Sequence, residues 1–139
     1  MKISIRLGVV FFEIMLILLP ISLYSEELPR EKEVEVIRTT IKAECNVYRS
    51  EVEKYDWDSE IMLKIMELES GCRETVINDN PNTGDYSIGL FQINLYGANA
   101  KYRPSEEHLK IGGNNIAYAY ELYSNGGYRH WTTFKKVYN

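Results

Sequence analysis

Apolar residues recur at helical spacing along much of the chain, interrupted by one loop-rich stretch. Between Glu31 and Val52, the residues Ile37, Ile41 and Tyr48 fall near one face and predict one or two helices. Asp56-Trp57-Asp58 breaks that pattern, and Asp58 stands where a helix cap is needed. Ile61, Ile65 and Leu68 follow at i, i+4 and i+7, with Met62 and Met66 beside them. They predict an amphipathic helix ending near Ser70-Gly71. Residues 78–87, NDNPNTGDYS, are dense in Asn, Asp, Gly and Pro and predict turns. The run Leu90-Phe91-Gln92-Ile93-Asn94 fits a short strand or a turn into a helix, and periodicity does not choose between them. Asn114 or Asn115 is the expected cap of a helix through Ala119, Leu122 and Tyr123, closed by Gly126-Gly127. A last short helix is expected from Trp131 to Val137. The segment from Ala98 to Lys110 yields no assignment.

The first 25 residues read as an address. Lys2 and Arg6 precede an apolar stretch from Leu7 to Leu23, and Ser25 precedes Glu26-Glu27, the pattern of a secretory signal peptide. A retained membrane anchor is the alternative. Against it stand Pro20 and Glu13, since a carboxylate at mid-membrane costs roughly 2.5–3.5 kcal/mol on insertion scales. The expectation is a signal peptide over 1–25 and one domain over 26–139, secreted or periplasmic after cleavage; an uncleaved segment would leave it membrane-anchored.

Composition narrows the function. Lys and Arg number 16 against 20 Asp and Glu, a net charge of −4. That balance argues against a nucleic-acid binder, which needs a basic face. No Gly-rich phosphate loop is present, and Cys45, Cys72, His108 and His130 fit no zinc spacing, so neither a metal nor a cofactor is expected. In an exported chain the two cysteines can pair with each other. A Cys45–Cys72 bridge would close a loop of about 28 residues and stabilise the fold by roughly 3 kcal/mol on the chain-entropy model.

One carboxylate stands out by position. Glu69 lies at the end of the helix that begins near Asp58, three residues after Met66 and seven after Met62, and so shares their apolar face. Burial and the negative end of a helix both disfavour its charge, and a carboxyl that keeps its proton is what a general acid requires. The competing reading is an edge residue with its head in water. Glu60 and Glu67 fall elsewhere around the helix and are expected to be solvated.

The letters around Glu69 form an ordered set. Glu69-Ser70-Gly71-Cys72 is followed by Ser87-Ile88-Gly89-Leu90-Phe91-Gln92-Ile93-Asn94. Asn115-Ile116-Ala117-Tyr118-Ala119-Tyr120 comes next, then Gly126-Gly127 and Trp131. This order resembles the lysozyme-like lytic transglycosylases of the SLT type over roughly Cys45 to Phe134. The resemblance implies a mainly α, α+β lysozyme-like fold, a helical domain with a small loop- and β-rich lobe lining a glycan cleft. It implies that Glu69 is the catalytic acid and base. Ser87 and Gln92 match the family's cleft-lining polar residues, and Asn94 follows in the same segment. Tyr120 is the best match to an aromatic hydroxyl near the catalytic carboxyl, with Tyr118 and Tyr123 as competitors.

The implied substrate is the glycan strand of peptidoglycan, cut between N-acetylmuramic acid and N-acetylglucosamine without water to leave a 1,6-anhydro ring. A lysozyme-type hydrolase is the alternative and needs a second carboxylate, for which Asp85 and Asp79 are candidates; both residues also suit turns. A non-catalytic peptidoglycan-binding module is a further alternative. Expected partners are glycan strands and, through the family, a secretion, conjugation or phage-entry apparatus; a monomer is expected. Of the aromatic residues, Trp57 and Trp131 are read as core, Tyr118, Tyr120 and Tyr123 as mostly core with one or two facing substrate, and His108 and His130 as surface residues without partners.

Overall fold

The computed structural model describes residues 35–38, 41–98 and 100–137. Residues 1–25, read above as a signal peptide, lie outside the described residues. Among the described residues no helix is long and apolar enough to cross a membrane.

The chain is mainly helical with one small sheet. Residues 35–38 are helical, and two short helices follow, α1 (Ala43–Asn46) and α2 (Arg49–Val52). The helical signal of the Glu31–Val52 region is therefore met by separate turns. Ile37, Ile41, Cys45 and Val52 still point inward from them.

Helix α3 (Ser59–Ser70) is the centre of the molecule. Asp58 Oδ1 accepts from the Ile61 amide at 3.2 Å and so caps it, as the sequence predicts. Gly71 ends it at φ 61°, a left-handed conformation that suits glycine. Ile61, Met62, Leu63, Ile65 and Met66 are buried. Cys45 and Cys72 form a disulfide with Cα atoms 5.2 Å apart, which ties α1 to the residue just past the end of α3.

Glu60 is not solvated. It is 8% exposed, receives both terminal nitrogens of Arg49 at 2.5 and 3.1 Å, and lies 3.3 Å from Arg38. A buried carboxylate needs such partners, and these come from outside the helix, where helical periodicity cannot see them. Glu67 is half-buried and pairs with Lys64 at 3.0 Å.

The stretch expected to be all turn is a hairpin. Strand β1 (Ile77–Asn80) pairs antiparallel with β2 (Asp85–Ile88), and β2 pairs with β3 (Ile93–Asn94), in the order β1-β2-β3. Only residues 81–84 form the turn between β1 and β2. Strand β1 is polar and largely exposed, so it lacks the apolar alternation that marks a strand; backbone pairing with β2 holds it instead. Ile88, Leu90, Phe91 and Ile93 carry the inner face of this lobe into the core.

A 3-10 turn (Ala100–Tyr102) and helix α4 (Glu106–Leu109) lead into α5 (Gly112–Gly126). The expected cap at Asn114 or Asn115 is displaced, because α5 already starts at Gly112, with Ile111 in the cap position. Its first amide, on Gly112, is met by Glu74 Oε2 at 2.9 Å, so a distant carboxylate does the work of a cap. Asn115 lies inside the helix, fully buried. It accepts from the Phe91 amide at 2.9 Å and donates to the Ile88 carbonyl at 3.0 Å and the Leu109 carbonyl at 2.9 Å. Helix α5 ends at Gly126-Gly127, and two 3-10 turns, Gly127–His130 and Thr132–Lys136, complete the chain where a last helix is expected. Trp131 between them is buried and donates from Nε1 to the Phe91 carbonyl at 3.1 Å.

Asn115→Ala would strand one amide and two carbonyls in the core, at about 1–3 kcal/mol for each group left unsatisfied. A loss of about 3 kcal/mol or more is expected in urea unfolding. Its neighbour Asn114, which bonds the His108 carbonyl at an exposed site, should lose no more than about 1 kcal/mol on the same change. Equal losses would refute the assignment.

Candidate active site

Glu69 is the penultimate residue of α3, two residues before Gly71 closes the helix. Met62 and Met66 on its face are fully buried, and Glu69 sits half-buried at the edge of that face. Beside it opens a cleft of about 370 Å³. One wall is the sheet lobe, through Thr83, Gly84, Asp85, Ser87, Gln92 and Asn94; the other is Glu69 with His130, Trp131 and Thr132. The structure thus brings Glu69, Ser87, Gln92 and Asn94 to one cleft.

The β2–β3 connection shapes the sheet-side wall. Gly89 adopts φ +74°, and a Cβ there would lie 2.4 Å from Asn115 Nδ2 and 2.6 Å from the Leu109 carbonyl, so only glycine fits. Gln92 is also left-handed, at φ 48°, a rare state for a side-chain-bearing residue. Its Nε2 donates to the Gly89 carbonyl at 2.9 Å. The Gly89 carbonyl can only accept, so the amide orientation follows: NH₂ inward, with the carbonyl oxygen free to accept from a ligand.

Asn94 and Ser87 are held by the protein itself. Asn94 Oδ1 accepts from the Tyr86 and Tyr96 amides at 3.3 and 2.7 Å, and Nδ2 donates to the Gly84 carbonyl at 3.2 Å. Its side chain braces the hairpin that forms the wall. Ser87 is 5% exposed and its hydroxyl donates to Asp85 Oδ1. The other oxygen of Asp85 accepts from Asn78 Nδ2 at 2.7 Å, so Asp85 is fixed within the wall. Asp79 is exposed on β1, opposite Tyr86 in register, and does not line the cleft.

Tyr120 lies elsewhere. Its ring packs 4.7 Å from Tyr55 and 5.3 Å from Trp57, among half-buried aromatics that include Tyr123. None of Tyr118, Tyr120 and Tyr123 lines the cleft. Trp131 is core, as expected, while Trp57 is half-buried. His130 is a surface residue, yet it lines the cleft; burial, then Arg129 and Arg103, lowers its proton affinity below the ordinary imidazole value. His108 is exposed, with Nδ1 3.4 Å from the Asn114 amide.

One contact has no signal in the sequence. The Thr133 hydroxyl donates to Glu69 Oε1 at 2.5 Å across 64 residues of chain. Nothing in local spacing links a threonine in a terminal 3-10 turn to a distant carboxylate.

The electrostatics of Glu69 are mixed, with a clear sum. Burial raises its proton affinity above the ordinary glutamate value, and the charge of Asp85 adds to that. The Thr133 bond and Lys136 oppose it without reversing it. Among the described residues no group of three or more His, Cys, Asp and Glu side chains could hold a metal ion. The arrangement suits proton transfer to and from a ligand in the cleft. No family model, curated protein or solved structure matches the chain.

The raised value of Glu69 has a consequence for stability. A carboxyl that binds its proton more tightly when folded favours the fold below its unfolded value, near 4.3, and that gain is lost as pH rises through the folded value. Glu69→Gln removes the penalty of charging. The variant should melt higher than the wild type at pH 8, and the gap should close towards pH 4. A gap that is independent of pH would show that Glu69 is not perturbed.

Proposed function

We propose that this protein is a peptidoglycan lytic transglycosylase of the lysozyme-like SLT type, in which Glu69 alone serves as acid and base. The observation that carries the reading is a half-buried glutamate with raised proton affinity in the same cleft as Ser87 and Gln92. The family resemblance selects these three residues from two separate blocks of the sequence, Glu69 from one and Ser87 with Gln92 from the next. Asn115, from the next matched block, joins them indirectly by holding the Gly89–Phe91 backbone.

The chemistry follows from one carboxyl acting twice. Glu69 donates its proton to the glycosidic oxygen as the C1–O bond of the muramic acid residue breaks. The substrate's N-acetyl group stabilises the cationic sugar. The C6 hydroxyl then bonds to C1 and gives its proton to the Glu69 carboxylate, which restores the acid and closes the 1,6-anhydro ring. No water is consumed. Gln92 offers its carbonyl oxygen to a sugar hydroxyl or acetamido N–H, and His130 stands on the facing wall.

A lysozyme-type hydrolase is the second reading, because Asp85 shares the cleft with Glu69. Asp79, the other candidate second carboxylate, is exposed and outside the cleft, which supports it less well than Asp85. The protein is further read as exported, since the Cys45–Cys72 disulfide suits an oxidising compartment and residues 1–25 suit a cleaved signal. Its partners are then glycan strands and, where the wall must be opened locally, a secretion, conjugation or phage-entry apparatus.

Two variants separate these readings in a turbidity assay on purified cell walls. Glu69→Gln should lower lysis by about 10²–10⁴-fold, the usual scale of general acid–base catalysis, while wall binding persists. Unchanged lysis removes Glu69 from the mechanism, and an inactive wild type that still binds walls favours a binding module. Asp85→Asn should cost no more than about tenfold in a transglycosylase; in a hydrolase that uses Asp85 as base it should fall as far as Glu69→Gln.

A further inference from the structure

The two oxygens of the Glu69 carboxyl are not equivalent. Oε1 accepts from Thr133 Oγ1 at 2.5 Å, whereas Oε2 has no hydrogen-bond partner among the described residues. Thr133 is itself held on both sides. Before it, Trp131 is buried and bonded to the Phe91 carbonyl at 3.1 Å. After it, the Phe134 ring stacks on Tyr128 with centroids 4.3 Å apart, and the Phe134 amide donates to the Trp131 carbonyl at 3.2 Å. A β-branched side chain on so constrained a turn has little rotamer freedom, so its hydroxyl is aimed.

We propose that Thr133 is a positioning residue: it pins Oε1 of Glu69 as a permanent acceptor and so makes Oε2 the oxygen that gives and takes the proton. The inference rests on the transglycosylase reading, in which one carboxyl must present the same oxygen in both half-reactions. A proton on Oε1 would weaken the Thr133 bond, because a carboxyl hydroxyl oxygen accepts less well than a carbonyl oxygen. A proton on Oε2 leaves that bond intact. When the C6 hydroxyl later returns a proton, the same oxygen receives it, and the carboxyl need not turn between steps. An untethered carboxyl would sample other orientations, and misplacement of about 1 Å can cost a hundredfold in rate.

Thr133 also sets the proton affinity against defined neighbours. The charged groups acting on Glu69 are Asp85 from the sheet wall and Lys136 from the same 3-10 turn as Thr133. His130 also lines the cleft, with its proton affinity lowered by burial first and then by Arg129 and Arg103. Burial and Asp85 push the proton on, while Thr133 and Lys136 push it off. Removing the hydroxyl therefore moves the Glu69 titration towards higher pH.

The test compares Thr133→Val, Thr133→Ser and Thr133→Ala in the full chain. Purified peptidoglycan is the substrate, and the titration of the Glu69 side-chain carboxyl is followed by carbon NMR. Thr133→Val should lower kcat by about ten- to a hundredfold at unchanged KM. It should also raise the Glu69 titration midpoint and carry the basic limb of the pH–rate profile upward with it. Thr133→Ser should restore both, and Thr133→Ala replaces the valine variant if that one melts early. An unmoved midpoint in Thr133→Val and Thr133→Ala overturns the role of Thr133 at any level of turnover, as does a serine variant that fails to rescue. A wild type inactive on peptidoglycan overturns the proposed function instead; the carboxyl titration then still judges the Thr133 tether.

Discussion

The cleft depends on one buried amide. Asn115, inside α5, bonds the backbone on both sides of the turn between β2 and β3 and a carbonyl at the end of α4. Each bond satisfies a backbone group that burial would otherwise leave unpaired, so the three act together. Gly89 makes the approach possible, because any Cβ would strike the Asn115 amide. Once the turn is fixed, Ser87 and Gln92 flank it on the wall that faces the end of α3. The Gly-Leu-Phe-Gln run and the later Asn-Ile pair are thus two halves of one structural joint, although the resemblance that picks them out concerns a glycan cleft.

The other wall depends on α3 and the chain terminus. The Cys45–Cys72 disulfide secures the residue just past the end of α3, and the Trp131–Phe91 bond draws the terminal turns against the sheet lobe. Glu69 is carried to the edge of a fully buried methionine face, where charge is disfavoured, and meets a hydroxyl donor that limits how far. Burial alone would hold the proton more tightly, and the donor alone would hold it less tightly than an ordinary glutamate does. The proposed role, giving and then taking a proton, calls for a balance between these two effects.

Features that depend on local period and caps were legible in the sequence. The span of α3, its Asp58 cap, its Gly71 terminus and the exceptional place of Glu69 all follow from residues within one helix. The features that were not legible are held by distant partners. Strand β1 of the hairpin is mostly polar and exposed and shows no apolar alternation. Asn115 has the residue type of a cap and serves as a core clamp, while Glu74 supplies the capping contact from 38 residues away. Glu60 looks solvent-facing because its arginines precede the helix. Of the site, Glu69, Ser87, Gln92 and Asn94 do share the cleft, though Asn94 is engaged in bracing it. Tyr120, chosen by resemblance alone among several tyrosines, belongs to an aromatic cluster outside the cleft. Thr133 could not be read from sequence, because only the folded chain brings it to Glu69.

The central claim is that a single glutamate severs the glycan with the sugar's own hydroxyl as nucleophile. Mass spectrometry of the fragments released from purified peptidoglycan in isotopically labelled water tests it most directly. The account predicts muramic acid ends one water lighter than a hydrolysis product and free of solvent oxygen. Reducing ends that carry oxygen from the labelled water would contradict it.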